Sequence, residues 1–424
     1  MSRGLAILSL LQITLFLVMI KTPPALALSR FLGTASTFAS SNSNLERHVI
    51  HHLTEESTTL TEAIRSCQTQ YDKTEYTPAQ LLNLGSIYTM SSEKYKSYFN
   101  SNESKENNHK PQRTTSCTLL PPQTYIRIHW EPRRFSVTLT EKNIIYINDH
   151  YAIINKPPNL PCHSTVDNRL ENVLHQFTNL TNKQALLGGR LDHDTTGLCV
   201  LSLGINFLRY YNLLLRTKTE RILGSESFTP IRKFYRAACL VNSQSLKINP
   251  ELEIKHYLVN SLSAPKLFIE EKSEGNDLEC KLIIKSVSDR IEIDEDVRRK
   301  WDVPEEWEEI VEVEIELLTG RTHQIRGQMK AMGMPLVGDR MYYDMEKKEV
   351  EVEGEGDMCL QAFRLEFEEP VVGEGKMGRK MERRIKRGEI EEKDFVDLKV
   401  GGGRKVFEVD KPWDFTVLSP CTCF

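Results

Sequence analysis

Two carboxylates two positions apart open the chemistry of this chain. Asp192 and Asp194 lie in Gly189-Arg190-Leu191-Asp192-His193-Asp194-Thr195-Thr196-Gly197-Leu198. The stretch reads as an Asp-rich turn running into an apolar strand, so a carboxylate stands at a loop-to-strand junction. Such a pair can act as general acid and base, or help to hold a metal. Asp-x-Asp is also an ordinary turn, and alone it separates none of these readings. A second stretch, Leu318-Thr319-Gly320-Arg321-Thr322-His323-Gln324-Ile325-Arg326, leaves an alternating segment through a glycine turn and enters a helix. Gly333-Met334-Pro335-Leu336-Val337-Gly338-Asp339-Arg340-Met341-Tyr342 follows it. No Cys/His cluster has zinc spacing.

The elements that must position these residues are legible in outline. Val311, Val313, Ile315 and Leu317 alternate with Glu312, Glu314 and Glu316, the pattern of a half-buried strand. Asn143–Asn155 is β-branched and apolar and reads as a hairpin, and Leu198–Leu203 as another strand. Ile205–Arg216 carries Phe207, Tyr210 or Tyr211, and Leu214 at helical spacing. Strands and helices mix without a regular βαβ rhythm. The expected class is therefore α+β, a mixed sheet with flanking helices.

The 424 residues allow one large or two modest domains with appendages. Four regions are expected. Residues 1–45 form a presequence. Residues 46–135 form an N-terminal region with a polar, disordered insert at 91–116. Residues 136–370 form the main domain, and 371–424 a charged, solvated extension. A net charge of -4 argues weakly against nucleic acid, but the charges segregate. From Leu186 to Leu240 there are eight Lys/Arg and four Asp/Glu, while acids gather in Asp294–Glu316 and Asp344–Asp357. The nine cysteines are scattered, with no C-x-x-C, and read as reduced, small apolar residues.

At the N-terminus, Arg3 precedes the apolar run Leu5–Ile20, and Ala25-Leu26-Ala27 has the form of a signal-peptidase site. The run is short for a membrane span. No Asp or Glu occurs before Glu46, and Leu28–Leu45 is rich in Ser, Thr, Ala and Asn. The whole resembles the two-part presequence of complex plastids. A plastid is expected, with the mitochondrion or secretory pathway as alternatives and no stable membrane association after processing.

Further motifs fall in order along the main domain. They are Asn155-Lys156-Pro157-Pro158-Asn159-Leu160-Pro161-Cys162-His163, Arg190–Leu198, Lys233-Phe234-Tyr235-Arg236-Ala237, Thr319–Arg326, Val337–Tyr342, and Leu360-Gln361-Ala362 through Pro370. In content and order they resemble the RluA-type pseudouridine synthases, over roughly Ile144–Pro370. There are departures. Gly189 stands where the family usually has His, although related synthases carry Gly-Arg-Leu-Asp. Gln361 replaces a His, and Gly327-Gln328-Met329 stands for Val-His-Leu. Ahead of this domain, Gln80–Tyr88 and Tyr125–Phe135 resemble the two ends of the small RNA-binding module often found there. Arg127, Arg133 and Arg134, interleaved with Trp130 and Phe135, would suit phosphates and stacked bases; equally, the segment reads as a linker strand packed on the main domain.

The resemblance implies the pseudouridine synthase fold, with a mostly antiparallel sheet and a central RNA-binding cleft. It implies isomerisation of specific uridines in structured RNA, ribosomal or transfer RNA, by a monomer needing neither cofactor nor metal. Asp192 would be the nucleophile or charge stabiliser. Arg326 would keep its charge in a site that excludes water. Tyr235 would stack on the uracil and help to take the proton from its carbon 5. Arg190 would fill the stack vacated by a flipped uridine. Lys156, Lys233 and Arg321 would be phosphate contacts or fold-stabilising charges, and His163 and His323 structural hydrogen-bonders. The strongest geometric expectation is an Asp192–Arg326 pair within about 2.7–3.5 Å. Two rivals stand beside this: an RNA chaperone or assembly factor that kept the fold without turnover, and a hydrolase using Asp192 and Asp194.

Overall fold

A computed structural model describes residues 49–73, 75–95, 110–223, 230–243, 245, 248–261, 264–273, 275–343, 356–372 and 398–415. The expected presequence lies outside them. The described chain forms two compact units. The first runs to Arg134 and includes Thr165–Leu170; the second comprises Phe135–Ser164 and everything from Glu171 onward.

In the first unit, β1 (Val49–Leu53), β3 (Ile87–Met90), β4 (Gln112–Thr114) and β6 (Tyr125–His129) pair antiparallel in the order β1-β6-β3-β4, and β2 (Thr58–Thr59) pairs with β5 (Leu119–Leu120). Helices α1 (Leu60–Tyr71) and α2 (Pro78–Leu84) each start with a capping box, Thr59 with Glu62 and Thr77 with Gln80. Each stops at a left-handed residue, Asp72 and Gly85. Leu60, Ile64, Leu81, Ile87, Ile126, Ile128 and Trp130 form the core. One expectation needs correction here. The insert read as disordered over 91–116 contains strand β4, whose Thr114 hydroxyl meets that of Thr89 at 2.7 Å and whose Arg113 Nη2 donates to the Tyr88 hydroxyl at 2.7 Å. Residues 96–109 of that insert lie outside the described residues. The basic and aromatic series is largely engaged within the unit. Trp130 is buried, Arg127 lies 4.4 Å over the Tyr88 ring, and Arg133 pairs with Asp167 at 3.1 Å.

The second unit is built on one large sheet. Its strands are β7 (Ile144–Ile147), β8 (Tyr151–Lys156), β9 (Leu186–Leu187), β10 (Thr196–Ser202), β11 (Ile231–Val241), β12 (Leu252–Leu258), β13 (Phe268–Ile269), β14 (Leu278–Val287), β15 (Ile291–Glu292), β16 (Glu309–Leu317), β17 (Leu360–Val372) and β18 (Leu398–Glu408). The spine runs β13-β12-β14-β16-β11-β17-β10-β8-β7, with β15, β18 and β9 attached to β16, β17 and β10. Among the described strands only β10 and β17 pair parallel. Their junction requires Gly197: its φ is +106°, and a Cβ there would lie 2.3 Å from the Ala362 carbonyl oxygen.

Helices α3 (Val173–Thr181), α4 (Ile205–Leu223), α5 (Glu295–Trp301), α6 (Gln324–Ala331) and α7 (Arg340–Tyr343) flank the sheet. One face of β11 and β16 packs Tyr235, Ala237, Cys239, Val311, Val313 and Ile315 with Ile325 and Met329 of α6. Phe207, Tyr211 and Leu214 of α4 pack on Tyr151, Val200 and Phe367. The polar face of β16 is covered rather than open. Glu316 takes two bonds from Arg232, Glu314 one from Arg236, and Glu312 is bound by Lys411 and Trp413.

The residues beyond 370 are not all solvated. Strand β18 pairs with β17, and Trp413 and Phe415 join Trp301 in a buried cluster. The three glycines at 401–403 interrupt the alternation that would have marked β18 in the sequence. Residues 373–397 and 416–424 lie outside the described residues. Among the described residues no helix is long and apolar enough to cross a membrane, and seven cysteines have free thiols.

Candidate active site

The Asp192 loop joins β9 to β10, and its shape is set from beneath. Lys156, at the end of β8, is fully buried, and its Nζ donates to the carbonyls of Pro157, Leu160 and His193 at 2.8, 2.9 and 2.9 Å. Burial lowers this ammonium to about 8. With three backbone acceptors and no exposure, Lys156 stands on the fold-holding side of its two readings, and the phosphate contact is corrected. Cys162 accepts from the Leu191 amide at 3.4 Å. Asp192 itself stays 28% exposed. Asp194 turns to its neighbour His193. Burial opposes its ionisation, but the bond and charge of His193, with Arg326 and Lys156, hold its carboxyl below the usual range.

The second motif arrives from α6. His323 takes a left-handed conformation (φ +55°) at the helix start, and Arg326 projects one turn later. Arg326 is 3% exposed, and its Nη1 lies 3.7 Å from the Asp192 carboxylate. That is slightly beyond the expected bonding range, for a plain reason: the guanidinium fork is already engaged. Its Nε and Nη2 each donate to Asp339 at 2.7 Å, a bidentate pair on a carboxylate with no exposure. Burial alone would weaken the guanidinium's hold on its proton. The Asp339 bonds and the charges of Asp339, Asp192 and Asp194 outweigh it and raise the affinity further. His323 Nε2 is 3.4 Å from Arg326 Nη1 and 3.9 Å from Asp192, and its Nδ1 meets the Tyr342 hydroxyl at 3.2 Å. Burial, then the Arg326 charge, lowers His323, so it is neutral at pH 7. Asp339 and Tyr342 had no assigned role in the sequence, although the Gly-Asp motif that contains them was visible.

Tyr235, from β11, lines the same cleft, which measures about 520 Å³. Burial, then the charge of Asp192, pushes its hydroxyl well above the ordinary phenol range, so it stays protonated. Arg190, Lys233 and Arg321 border the cleft. Arg190 is exposed, with Nη1 3.4 Å from His163 Nε2. The Nε of Arg321 is buried without a hydrogen-bond partner. Among the described residues no group of three or more His, Cys, Asp or Glu could hold a metal ion.

The departures from the family pattern have local explanations. A Cβ on Gly327 would lie 2.2 Å from the Phe268 ring, so a small residue is needed where that ring presses on α6. Gln328 is fully buried and accepts from Gln324 at 2.8 Å, a polar contact inside the core. Gln361 donates to the Asp410 carbonyl at 2.7 Å and so fastens β17 to the C-terminal segment.

Residues 150–331 match the family model described as RNA pseudouridylate synthase. The chain is 29% identical over 228 residues to chloroplastic RNA pseudouridine synthase 6 of Arabidopsis thaliana, covering 52% of this chain and 44% of that protein. It is 27% identical over 235 residues to the protein of that name in Oryza sativa subsp. japonica, covering 53% and 45%. It is 28% identical over 206 residues to ribosomal large subunit pseudouridine synthase D of Blochmanniella floridana, covering 47% and 53%. The chain thus spans about half the length of the curated relatives it matches. The ordered motifs, the sheet that carries them and these matches agree: over residues 150–331 the chain is similar to the RNA pseudouridylate synthases, with motifs of the RluA type.

Proposed function

We propose that this chain isomerises uridine to pseudouridine in structured RNA, with Asp192 as the nucleophile. One observation carries the reading. Asp192 and Arg326 come from segments more than 120 residues apart, yet stand 3.7 Å apart at one wall of a cleft that Tyr235 also lines. In the reaction the bond from N-1 of uracil to the sugar breaks, the base turns, and carbon 5 bonds to the sugar carbon. Carbon 5 loses its proton and N-1 gains one, so no electrons are gained or lost. Asp192 is accessible enough to form a transient bond to base or sugar, or to face developing positive charge on the sugar. Arg326, kept charged and oriented by Asp339, sets a positive charge beside that carboxylate. Tyr235 offers a ring face to the uracil. As a protonated phenol it must first give up its own proton if it is to take the one from carbon 5. Arg190 and Arg321 are placed to meet the RNA at the rim, Arg190 filling the gap left by a flipped base.

Asp192→Asn keeps the side chain's size and removes its charge. The variant is expected to fold and bind RNA with no detectable pseudouridine formed. Turnover near wild type would sink the mechanism. If Asp192→Asn instead rescued cells lacking the gene, an assembly role without turnover would take its place.

Two relatives are named as chloroplastic and one as acting on the large ribosomal subunit. With the acid-poor N-terminus, this makes plastid ribosomal RNA the first substrate to test. A fluorescent protein carrying residues 1–47 should enter the plastid, and removal of residues 1–27 should divert it. Its appearance in the medium would exclude the two-part presequence.

A further inference from the structure

Helix α4 buries Phe207, Tyr211 and Leu214 along one stripe, and the next position on that stripe is Lys218. Lys218 is 3% exposed, yet it borders the cleft. Its Nζ donates to the Leu317 carbonyl at 2.5 Å. Lys233 stands across from it on β11, two residues before Tyr235 and so on the same strand face, pointing into the same cleft. The Lys233 ammonium occupies space left by Gly189: a Cβ there would lie 3.2 Å from Nζ. Among the described residues no carboxylate lies within ion-pair distance of either ammonium. Glu316 is the carboxylate that acts on Lys218, and both of its oxygens are taken by Arg232 at 2.8 and 2.7 Å.

A buried cation and a half-buried one facing one opening without a counter-charge are costly to the fold. The buried structural lysine of this fold, Lys156, is closed off by three backbone carbonyls, whereas Lys218 has one such acceptor and both Lys218 and Lys233 open on the cleft. We propose that Lys218 and Lys233, with the space over Gly189, form an anion subsite on the Tyr235 side of the cleft, and that it takes a backbone phosphate of the RNA next to the target uridine. The assignment rests on the reading of the cleft as an RNA site. Burial lowers Lys233 to about 8, and burial with the Lys233 charge lowers Lys218 to about 7. These are the directions expected of a cation pair waiting for an anion. A phosphate lodged there would fix the sugar between the subsite and Asp192, and it would discriminate a nucleotide within a chain from a free nucleoside.

The test is binding, read apart from turnover. A uridine-containing RNA stem-loop is titrated against wild type, Lys218→Met, Lys233→Met, Lys233→Arg and Gly189→Ala over a range of KCl concentrations. Each Lys→Met change should weaken binding about three- to ten-fold and reduce the slope of log affinity against log salt by about 1. Lys233→Arg should keep the slope. Gly189→Ala removes no charge but displaces the ammonium, and should weaken binding as well. Because each methionine replaces a cation without a counter-charge, buried at 218 and half-buried at 233, both variants should melt at or above the wild-type temperature. Unchanged affinity and slope in the folded Lys→Met variants would overturn the assignment. So would melting well below wild type with RNA binding intact, which would mark the lysines as structural.

The source of the anion is read on wild type. Inorganic phosphate should displace the RNA better than chloride at equal ionic strength. Methylphosphonate linkages beside the uridine should reproduce the loss seen in Lys218→Met. If phosphate competes and the methylphosphonates have no effect, the site takes free phosphate and the RNA assignment falls. Pseudouridine formation is assayed separately. Altered slopes without any wild-type turnover would count against the proposed reaction alone, and turnover with unaltered slopes against the subsite alone.

Discussion

Arg326 serves two carboxylates, and the split is the feature of the site most open to mutation. Asp339 is bound bidentately and has no exposure; Asp192 is nearer the solvent and more loosely held. The first contact orients the guanidinium, and the second sets its charge beside Asp192 while leaving that carboxylate free to react. Arg326→Met would strand Asp339 as an unpaired buried charge, costing about 3–5 kcal/mol. It should also abolish activity. Asp339→Asn keeps the shape but weakens the anchor, so activity should drop while RNA binding survives. In Arg326→Met/Asp339→Leu both charges are gone, and the melting temperature should recover most of what Arg326→Met loses, with activity still absent. Calorimetry on the three variants checks this. If the double variant melts no higher than Arg326→Met, the Asp339 contact is not what holds Arg326. The catalytic candidates were legible because they sit in long, ordered motifs. Asp339 was in view without a role, since nothing in a sequence says which of several carboxylates an arginine will bind. Lys218 had no signal beyond a charge falling on an apolar helical stripe.

Among the elements, those with strict periodicity were read closely. The hairpin expected over Asn143–Asn155 is β7 and β8, the alternating segment is β16, and the helix expected from Ile205 is α4, longer by two turns. Short strands in polar sequence were missed, β4 above all, because its pairing is secured by hydroxyl and guanidinium contacts rather than by apolar alternation. Strand β6 illustrates a pH dependence that the sequence does not announce. The Nε2 of His129 is buried without a hydrogen-bond partner, and burial, then the Arg127 charge, lowers this residue from 6.5 to about 4. A lowered value in the folded state means that the unfolded chain takes up the proton first as pH falls. The stability that His129 lends the first unit is therefore complete above about 6.5 and is lost progressively toward about 4. Melting followed through Trp130, with the other three tryptophans replaced by Phe, should show this loss between pH 7 and 5 in that background. His129→Gln should remove part of the pH dependence. An equal dependence in the variant would assign the effect to other groups.

At the scale of the whole molecule, the sequence located the catalytic sheet but not its full extent. The charged run after Val372 looked like a solvated tail, and the three glycines concealed β18. Yet the chain returns to the sheet, and its last described residues close a core that Trp301, more than 110 positions earlier, also lines. Trp413 makes the closure specific. Its ring is buried beside Trp301 and Phe415, and its Nε1 donates to Glu312 at 2.8 Å, on the strand that leads to the Thr319–Arg326 motif. Losing that ring should cost about 3–5 kcal/mol, the usual range for deleting a large aromatic side chain from a core. Glu312 keeps Lys411 and so is not left without a partner. The damage should therefore appear as packing loss rather than as a stranded charge. Trp413→Phe retains most of the volume and should recover more than half of the loss. A segment lying loosely on the surface would give little change in melting temperature for either variant. If Trp413→Ala melts within about 1 °C of wild type, β18 and the residues after it are an appendage, and the catalytic unit ends with β17.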